Sequence, residues 1–536
     1  MLIARPRADS TPGRSDRVPD DPRRTRRWTL AATILGSSVV FIDGTVVNVA
    51  LPAMQEALGA TAARMQWVVD SYLLFLGSLV LVGGAAGDRW GRRRVFVLGV
   101  LLFGLASLAC GLAPGGLSLV VARAFQGAAG ALLVPGSLAL IRAGMPEGER
   151  GAAIGTWAGF SALTTALGPL VGGWLVDVGS WRAIFFVNVP LCLLTAWMAL
   201  RHVPESRAPE GRGEGEGGGL DAAGALAAVL GFGLLTWGLI SAAERGLGPG
   251  VGLALAAAAA ALLAFLRIEA RAARPMLPLH LFRSRAFAGA NLLTLLLYAA
   301  LSGALFLLPF SLMQARGFTA TEAGAAFLPF SLSLGLLSRR AGRLAERTGP
   351  RAPLVWGPVA TAAGFAMLGL ADPHAGTYWT GVLPGMLVVG LGMTAVVAPL
   401  TTTVMEAVDE RHAGTASGIN NAAARIAGLL AVAVLGAFAV TAFGAALEAG
   451  LRGVELAPEA REAILAGHRR LLAMPIPDGL PPGARAAVEA ARDRAFATAF
   501  RWSLLLAAGL AAAAGAVAAL TIPAAPARPP APERRA

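Results

Sequence analysis

Residues 83–94 read GGAAGDRWGRRR and set Asp88 and four arginines, Arg89 and Arg92 to Arg94, between two long apolar runs. A degenerate copy, ERTGPR, follows at residues 346–351. An acid, an Arg, a Gly and a second Arg recur in the same order, so the chain is internally duplicated. Asp88 and Glu346 stand 258 positions apart with eight apolar segments between them. That spacing predicts two six-helix halves separated by an extra helix pair.

The composition agrees with this reading. Of 536 residues, 56% are hydrophobic and 14% charged, against about 25% charged in soluble domains. A polytopic membrane protein is the expected class. Apolar stretches of about 18 to 25 residues begin near Trp28, Gln66, Val95, Leu117, Ala153 and Arg182 in the first half. Two more start near Leu220 and Pro249, and the second half supplies Ala286, Thr321, Pro353, Thr377, Gly418 and Ala497. The expected fold is all-α with fourteen transmembrane helices: a tail at 1–27, a six-helix bundle at 28–202, a linker at 203–219 and a central pair at 220–267. A second bundle then spans 268–521, with a long outer loop at 443–495 and a tail at 522–536.

A net charge of +13 in a soluble chain would point to nucleic acid, but here every basic side chain is Arg and the arginines cluster in short junctions between apolar runs. Such clusters mark loops that stay on the cytoplasmic side, so nucleic-acid binding is excluded. Arg23, Arg24, Arg26 and Arg27, the loop at 89–94, Arg271 with Arg283 and Arg285, and Arg339 with Arg343 and Arg347 all fall on one side of fourteen spans. Both termini are then cytoplasmic. The junction 405–412 dissents with three acids, though acids count little in this rule. The run after the Arg-rich tail is too long for a cleaved signal peptide. Cys110 and Cys192 lie in apolar segments, and no His sits within a span, so neither a disulfide nor a metal site is expected. Segment 203–219 has the Gly, Pro and Glu content of a flexible linker. Within the outer loop, PEAREAILAGHRRLLA at 458–473 fits a short amphipathic helix.

The fifth span, GTWAGFSALTTALGPLVGGWLVD, spaces Gly155, Gly159, Ala162, Ala166, Pro169 and Gly173 by alternating fours and threes, which puts them on one helix face. Gly168 and Gly172 add a second face. Small residues let another helix come close, which in lipid is how packing is gained. Tight packing and a hinge for conformational switching are both compatible with the pattern.

In the GDRWGRRR loop the arginines are explained as topology anchors. Asp88 can pair with them or with a helix N-terminus in one state and release in another. Glu346 and Arg347 hold the same places in the second copy. Three ionisable residues lie within first-half spans: Asp43 about seven residues from the outer end of span one, Arg123 at a similar depth in span four, and Asp70 somewhat shallower in span two. An acid and an Arg at matching depth suggest a pair, since charges in hydrocarbon are costly. Gln126 shares a face with Arg123. Asp43 and Arg123 as a permanent structural pair is the plain alternative. A carboxyl that is desolvated in one state and met by a movable Arg in another would bind and release a proton, as a proton-coupled carrier requires.

These residues resemble the fourteen-span drug:proton antiporters of the major facilitator superfamily. FIDGTVVNVALPAM resembles the first-span motif, with Asp43, Thr45, Asn48 and Pro52 in place. GDRWGRRR resembles the gating motif through Gly87, Asp88, Arg89, Gly91 and Arg92. RAFQGAAGA resembles the fourth-span motif, whose Arg, here Arg123, is implicated in proton coupling, followed by Gln126 and Gly127. The fifth span resembles the antiporter motif through Gly159, Gly168, Pro169, Gly172 and Gly173, and WRAIFFVNVP resembles the start of the sixth span, with Trp181, Arg182, Asn188 and Pro190. Ala86 replaces the usual leucine. The thirteenth span, GINNAAARIAGLLAVAVLGA, has no acid, where relatives moving divalent cationic drugs can carry one.

The resemblance implies a major facilitator fold and proton-coupled efflux of amphipathic or lipophilic compounds across the bacterial cytoplasmic membrane, driven by the proton gradient without a cofactor. Asp43, Arg123, Asp70 and Gln126 would couple protons. An accessory export protein is left open. Two other readings are a proton-driven importer of a small nutrient and a membrane sensor or scaffold that transports nothing. No His, Cys or nucleophile constellation within the spans suggests an enzyme.

Overall fold

The structure is a computed structural model describing residues 22–207, 222–272, 275, 277–371, 377–409, 413–477 and 479–524. The tails at 1–21 and 525–536 and most of the 203–219 linker lie outside the described residues. So do the side chains of Asp88, Glu346 and Arg347, whose backbones are helical.

The first half comprises α1 (Pro22–Leu58), α2 (Ala62–Trp90), α3 (Arg92–Gly111), α4 (Gly116–Gly144), α5 (Glu147–Val178), a short turn α6 (Ala183–Phe186) and α7 (Asn188–His202). The hairpin α8 (Ala222–Arg245) and α9 (Pro249–Arg271) follows. The second half holds α10 (Arg285–Phe310), α11 (Ala320–Ala325), α12 (Leu328–Thr348), α13 (Arg351–Leu370), α14 (Leu383–Glu406), α15 (Ala413–Gly450), α16 (Pro458–Ala466) and α17 (Pro482–Thr521). Among the described residues, thirteen segments are long and apolar enough to cross a membrane. The helix α2 is 29 residues long, with a long apolar run after Asp70. With it there are fourteen helices of spanning length. Helices are the form such a chain must take, because a bilayer offers no water to backbone N–H and C=O groups.

Local chemistry sets the helix ends. The hydroxyls of Thr61 and Ser284 accept from the N–H groups of Arg64 and Phe287 and cap α2 and α10. Thr319 and Glu322 form a reciprocal capping box that starts α11. Gly91 divides α2 from α3 at φ +110, a backbone conformation that a side chain resists. A Cβ there would also stand 2.9 Å from the Glu205 carboxylate.

Within the first half, α2 packs on α4, α4 on α3, and α1 on α5 and α7. Within the second, α10 packs on α15 and α17, α13 on α14 and α17, and α12 on α14. The halves meet where α5 touches α11 and α12 and where α2 touches α15. The hairpin is keyed to this second seam: α8 packs on both α2 and α15, through a small cluster of Ala63, Trp67, Leu239, Ile240 and Ala433.

Two expected boundaries move. The helix α1 continues to Leu58, so Asp43 lies fifteen residues, about 22 Å, from that end rather than seven residues. The outer loop at 443–495 is mostly helical, since α15 runs on to Gly450 and α17 already begins at Pro482. Ala-rich sequence with an Arg485–Glu489 pair one turn apart at 3.3 Å carries α17 beyond its apolar part. The amphipathic segment appears as α16 followed by a 3-10 turn at Gly467–Ala473, with Ile464 buried.

Candidate functional site

Asp43 of α1 and Arg123 of α4 are joined at 2.5 Å between Oδ2 and Nη1. Both are completely buried. The matching depth expected from the sequence holds, although α1 ends further out than its apolar run suggests and overshoots α4. Asp43 Oδ1 accepts from Gln126 Nε2 at 2.8 Å and from Asn188 Nδ2 at 3.0 Å. Gln126 in turn accepts from Arg123 Nη1 at 2.7 Å and donates to Ser107 Oγ at 2.7 Å. Arg123 Nε donates to the Val68 carbonyl at 3.1 Å. Its guanidinium lies 4.1 Å from the centre of the Tyr72 ring, whose hydroxyl donates to the Val40 carbonyl. Five helices thus contribute to one network around that carboxylate: α1, α2, α3, α4 and α7.

Both oxygens of that carboxylate are served by donors, which is what a charge needs away from water. The alignment depends on close helix approach. A Cβ on Gly127 would collide with the Tyr72 carbonyl, so glycine there lets α4 settle against α2 and bring Arg123 over Tyr72.

Asp70 is different. It is fully buried on α2, and neither carboxyl oxygen has a hydrogen-bond partner among the described residues. It is not part of the Asp43 network.

The Arg-rich loop is tied down within the first half. Glu205, just beyond α7, accepts from the N–H groups of Arg93 at 3.0 Å and Arg94 at 3.2 Å. It lies 3.8 and 3.7 Å from their guanidinium Nε atoms. A carboxylate on the first N–H groups of α3 satisfies them and meets the positive end of the helix dipole. No pattern in the sequence singles out Glu205.

The fifth-span glycines divide by face and height. On one face, a Cβ on Gly168 would strike Thr45 and one on Gly172 would strike Val46, so α5 presses on α1. On the other, Gly173 abuts the Ala320 backbone, and Gly324 of α11 abuts that of Pro169. Gly155 and Gly159, several turns toward the Arg-rich end, face open space: a Cβ on either would have no atom within 4 Å, and the same holds for Gly335 of α12. The single small-residue face expected from the spacing is therefore a contact at the far end and open space at the Arg-rich end. The far end is also bolted: Asp177, in the last turn of α5, accepts from the N–H groups of Ala320 at 3.0 Å and Thr321 at 2.7 Å. Gln314 donates to Gln55 there at 3.2 Å. An apolar groove of about 420 Å³ beside Leu79, Leu105, Phe125 and Leu132 lies on a flank of α2, α3 and α4. Leu105 and Phe125 are exposed on it, which suits lipid contact.

Two packed helical halves, a buried ion pair and a seam shut at one end define a membrane carrier of the alternating-access type. The sequence profile of the Major Facilitator Superfamily matches residues 33–432, and the chain belongs to that superfamily. It is 35% identical over 427 residues to multidrug resistance protein Stp of Mycobacterium tuberculosis, covering 79% of this chain and 78% of the relative. It is 33% identical over 432 residues to the tetracenomycin C resistance and export protein of Streptomyces glaucescens, with 80% and 78% covered. Its fold is similar to the crystal structure of a bacterial homologue of the human lysosomal transporter Spinster, with a TM-score of 0.63 at 16% identity, covering 92% of this chain and 96% of that one.

Proposed function

We propose that this chain exports amphipathic or lipophilic compounds, antibiotics among them, from the bacterial cytoplasm in exchange for protons. The observation that carries the coupling is the Asp43–Arg123 pair, buried among Gln126, Asn188 and Ser107. Relatives named for drug resistance and antibiotic export support the direction of transport. The Arg-rich end is cytoplasmic by the positive-inside rule, as are both termini. With the seam shut at the far end, the state described here offers its opening to the cytoplasm.

In the cycle, Asp43 takes a proton when the helices part enough for water to reach it. Neutralising the carboxylate weakens its hold on Arg123, and restoring the ion pair expels the proton. Drug binding and proton binding then favour different arrangements of the same five helices. Asp177 holds the far end shut, and the fifth-span glycines let α5 rock against α1 and α11. Asp88 with its arginines, and Glu346 with Arg347, would latch the opposite end when it closes.

Everted membrane vesicles test this. Wild-type protein should accumulate a dye or antibiotic when a pH gradient is imposed and stop when it is collapsed. Asp43→Asn should abolish gradient-driven uptake while leaving drug binding within about threefold. An Asp43→Asn protein that keeps full dependence on the gradient would rule out the assignment.

A further inference from the structure

Asp70 and Arg425 lie well inside their helices, take no part in the Asp43 network and come from opposite halves. Asp70 on α2 is fully buried, with both carboxyl oxygens unpartnered among the described residues. Arg425 on α15 is half-buried and makes no hydrogen bond or ion pair among the described residues, while lying within electrostatic reach of Tyr72. A charge near the middle of a membrane protein is retained where it meets a partner, a watery cavity or a functional need.

The contacts along the seam fix their relation. Gln66 of α2 meets Gly436 of α15, Leu73 meets Gly428, and a Cβ placed on Gly77 would stand 3.4 Å from that of Arg425. Residues 66, 70, 73 and 77 form one stripe of α2, so Asp70 and Arg425 address the same antiparallel contact, two turns or about 10 Å apart along α2. Glycines at 77, 428 and 436 make that contact smooth. A slide of one helical turn, about 5 Å, is an established scale of motion between packed helices. It would halve the separation and leave the rest to the long Arg side chain.

We propose that Asp70 and Arg425 are a second proton-coupling pair, closing across the seam between the halves when Asp70 gives up its proton. This rests on the efflux reading above. In the state described here neither Asp70 oxygen has a hydrogen-bond partner among the described residues, and in the proposed cycle this is the protonated state. As the halves rock, the carboxyl O–H bond breaks, the proton passes to water in the cavity, and the Arg425 guanidinium meets the carboxylate left behind. The reverse motion withdraws Arg425 and Asp70 takes a proton again.

The other charges near Asp70 are committed. From α4 comes Arg123 and from α1 Asp43, which hold each other. The helix α3 has no ionisable residue between Val95 and Ala109, and α8 has none before Glu244. What α8 contributes is Thr236, also buried with its hydroxyl unpartnered. It lies between Gly233, which meets Leu74, and Ile240, which clusters with Ala63, so its level along the seam is that of Asp70. The hairpin would thus cover this acid from the lipid. Asp43 and Arg123 both belong to the first half, so their pair answers to shifts among the helices of that half. A pair split between the halves is made or broken by the rocking itself.

The test uses the full-length protein in lipid nanodiscs, with folding checked by thermal unfolding of each variant. Infrared spectroscopy identifies the protonated Asp70 carboxyl as the band lost in Asp70→Asn, and the band is followed with pH. In Arg425→Gln it should persist at least about one pH unit higher than in wild type, with Arg425→Lys between the two. No Asp70 band at neutral pH, or the same titration with and without Arg425, would overturn the pair. In vesicles, Arg425→Gln should lose at least about tenfold of gradient-driven uptake, and adding Asp70→Asn should cost nothing more. Losses that multiply would mean two independent residues. If wild-type vesicles show no gradient-driven uptake, the efflux reading fails, and the infrared titration still decides the pair.

Discussion

Asp43 and Asp70 sit on neighbouring helices of one half, both without solvent exposure, yet one carboxylate is surrounded by donors and the other makes no hydrogen bond among the described residues. The difference lies in which face of the half each occupies. Asp43 points into a five-helix interior, where α4 and α7 supply Arg123, Gln126 and Asn188. Asp70 points out of that interior, to the seam with α15 and the cover of α8. An acid inside a half meets its partners through the packing of that half and is freed only when those helices shift. An acid on the seam meets whatever the fit of the two halves brings to it.

This contrast can be broken by stability measurements in detergent. The largest effect is expected from Arg123→Gln, which strands the Asp43 carboxylate and should cost about 3–5 kcal/mol, read as a lowered unfolding midpoint. Adding Asp43→Asn should recover most of that loss, since it removes the charge left without a partner. Next is Asp177→Asn, which weakens two charge-assisted bonds across the far end. A loss of about 1–2 kcal/mol would shift the balance roughly tenfold toward far-end opening, and spin labels on α5 and α12 should show a longer-distance population growing in. The smallest effect belongs to Asp70→Asn, which disturbs no existing bond and should change the unfolding midpoint by less than about 1 kcal/mol. A large destabilisation there would place Asp70 among structural acids and erase the comparison.

Much of this is legible in the residues. Apolar run lengths and arginine placement point to fourteen spans in two halves, and a helix count along the chain puts Asp43 and Arg123 level with each other. Gln126 follows from its place three residues after Arg123. Asn188 is visible as part of WRAIFFVNVP, but its bond to Asp43 depends on how α7 packs against α1. Ser107 and Tyr72 carry no signal, since a Ser or Tyr inside an apolar run says nothing about which neighbour it will meet. Arg425 is readable as a lone charge in GINNAAARIAGLLAVAVLGA, where the missing acid is the more conspicuous feature and hides the cation that is present. Asp177 stands at the end of the fifth-span pattern, but its bonds to Ala320 and Thr321 arise only when two halves dock. Helical periodicity orders the contacts within one half and makes them readable. Contacts between halves depend on the conformational state, which no periodicity encodes.

The two ends of the α5 contact make the same point. Gly173 and Gly324 allow backbone-to-backbone contact near Asp177, whereas Gly155 and Gly159 on the same helix as Gly173 meet nothing. One helix therefore serves as the closed wall of the seam at one end and the open wall at the other, so a bulky substitution at Gly173 bears on far-end closure and one at Gly159 bears on the opposite closure.

The most direct test of the central claim is the count of protons released when drug binds purified protein in weakly buffered solution. Wild type should release protons in proportion to bound drug, and Asp43→Asn should release fewer for the same amount bound. An Asp43→Asn protein that releases as many protons per drug as wild type would contradict the account.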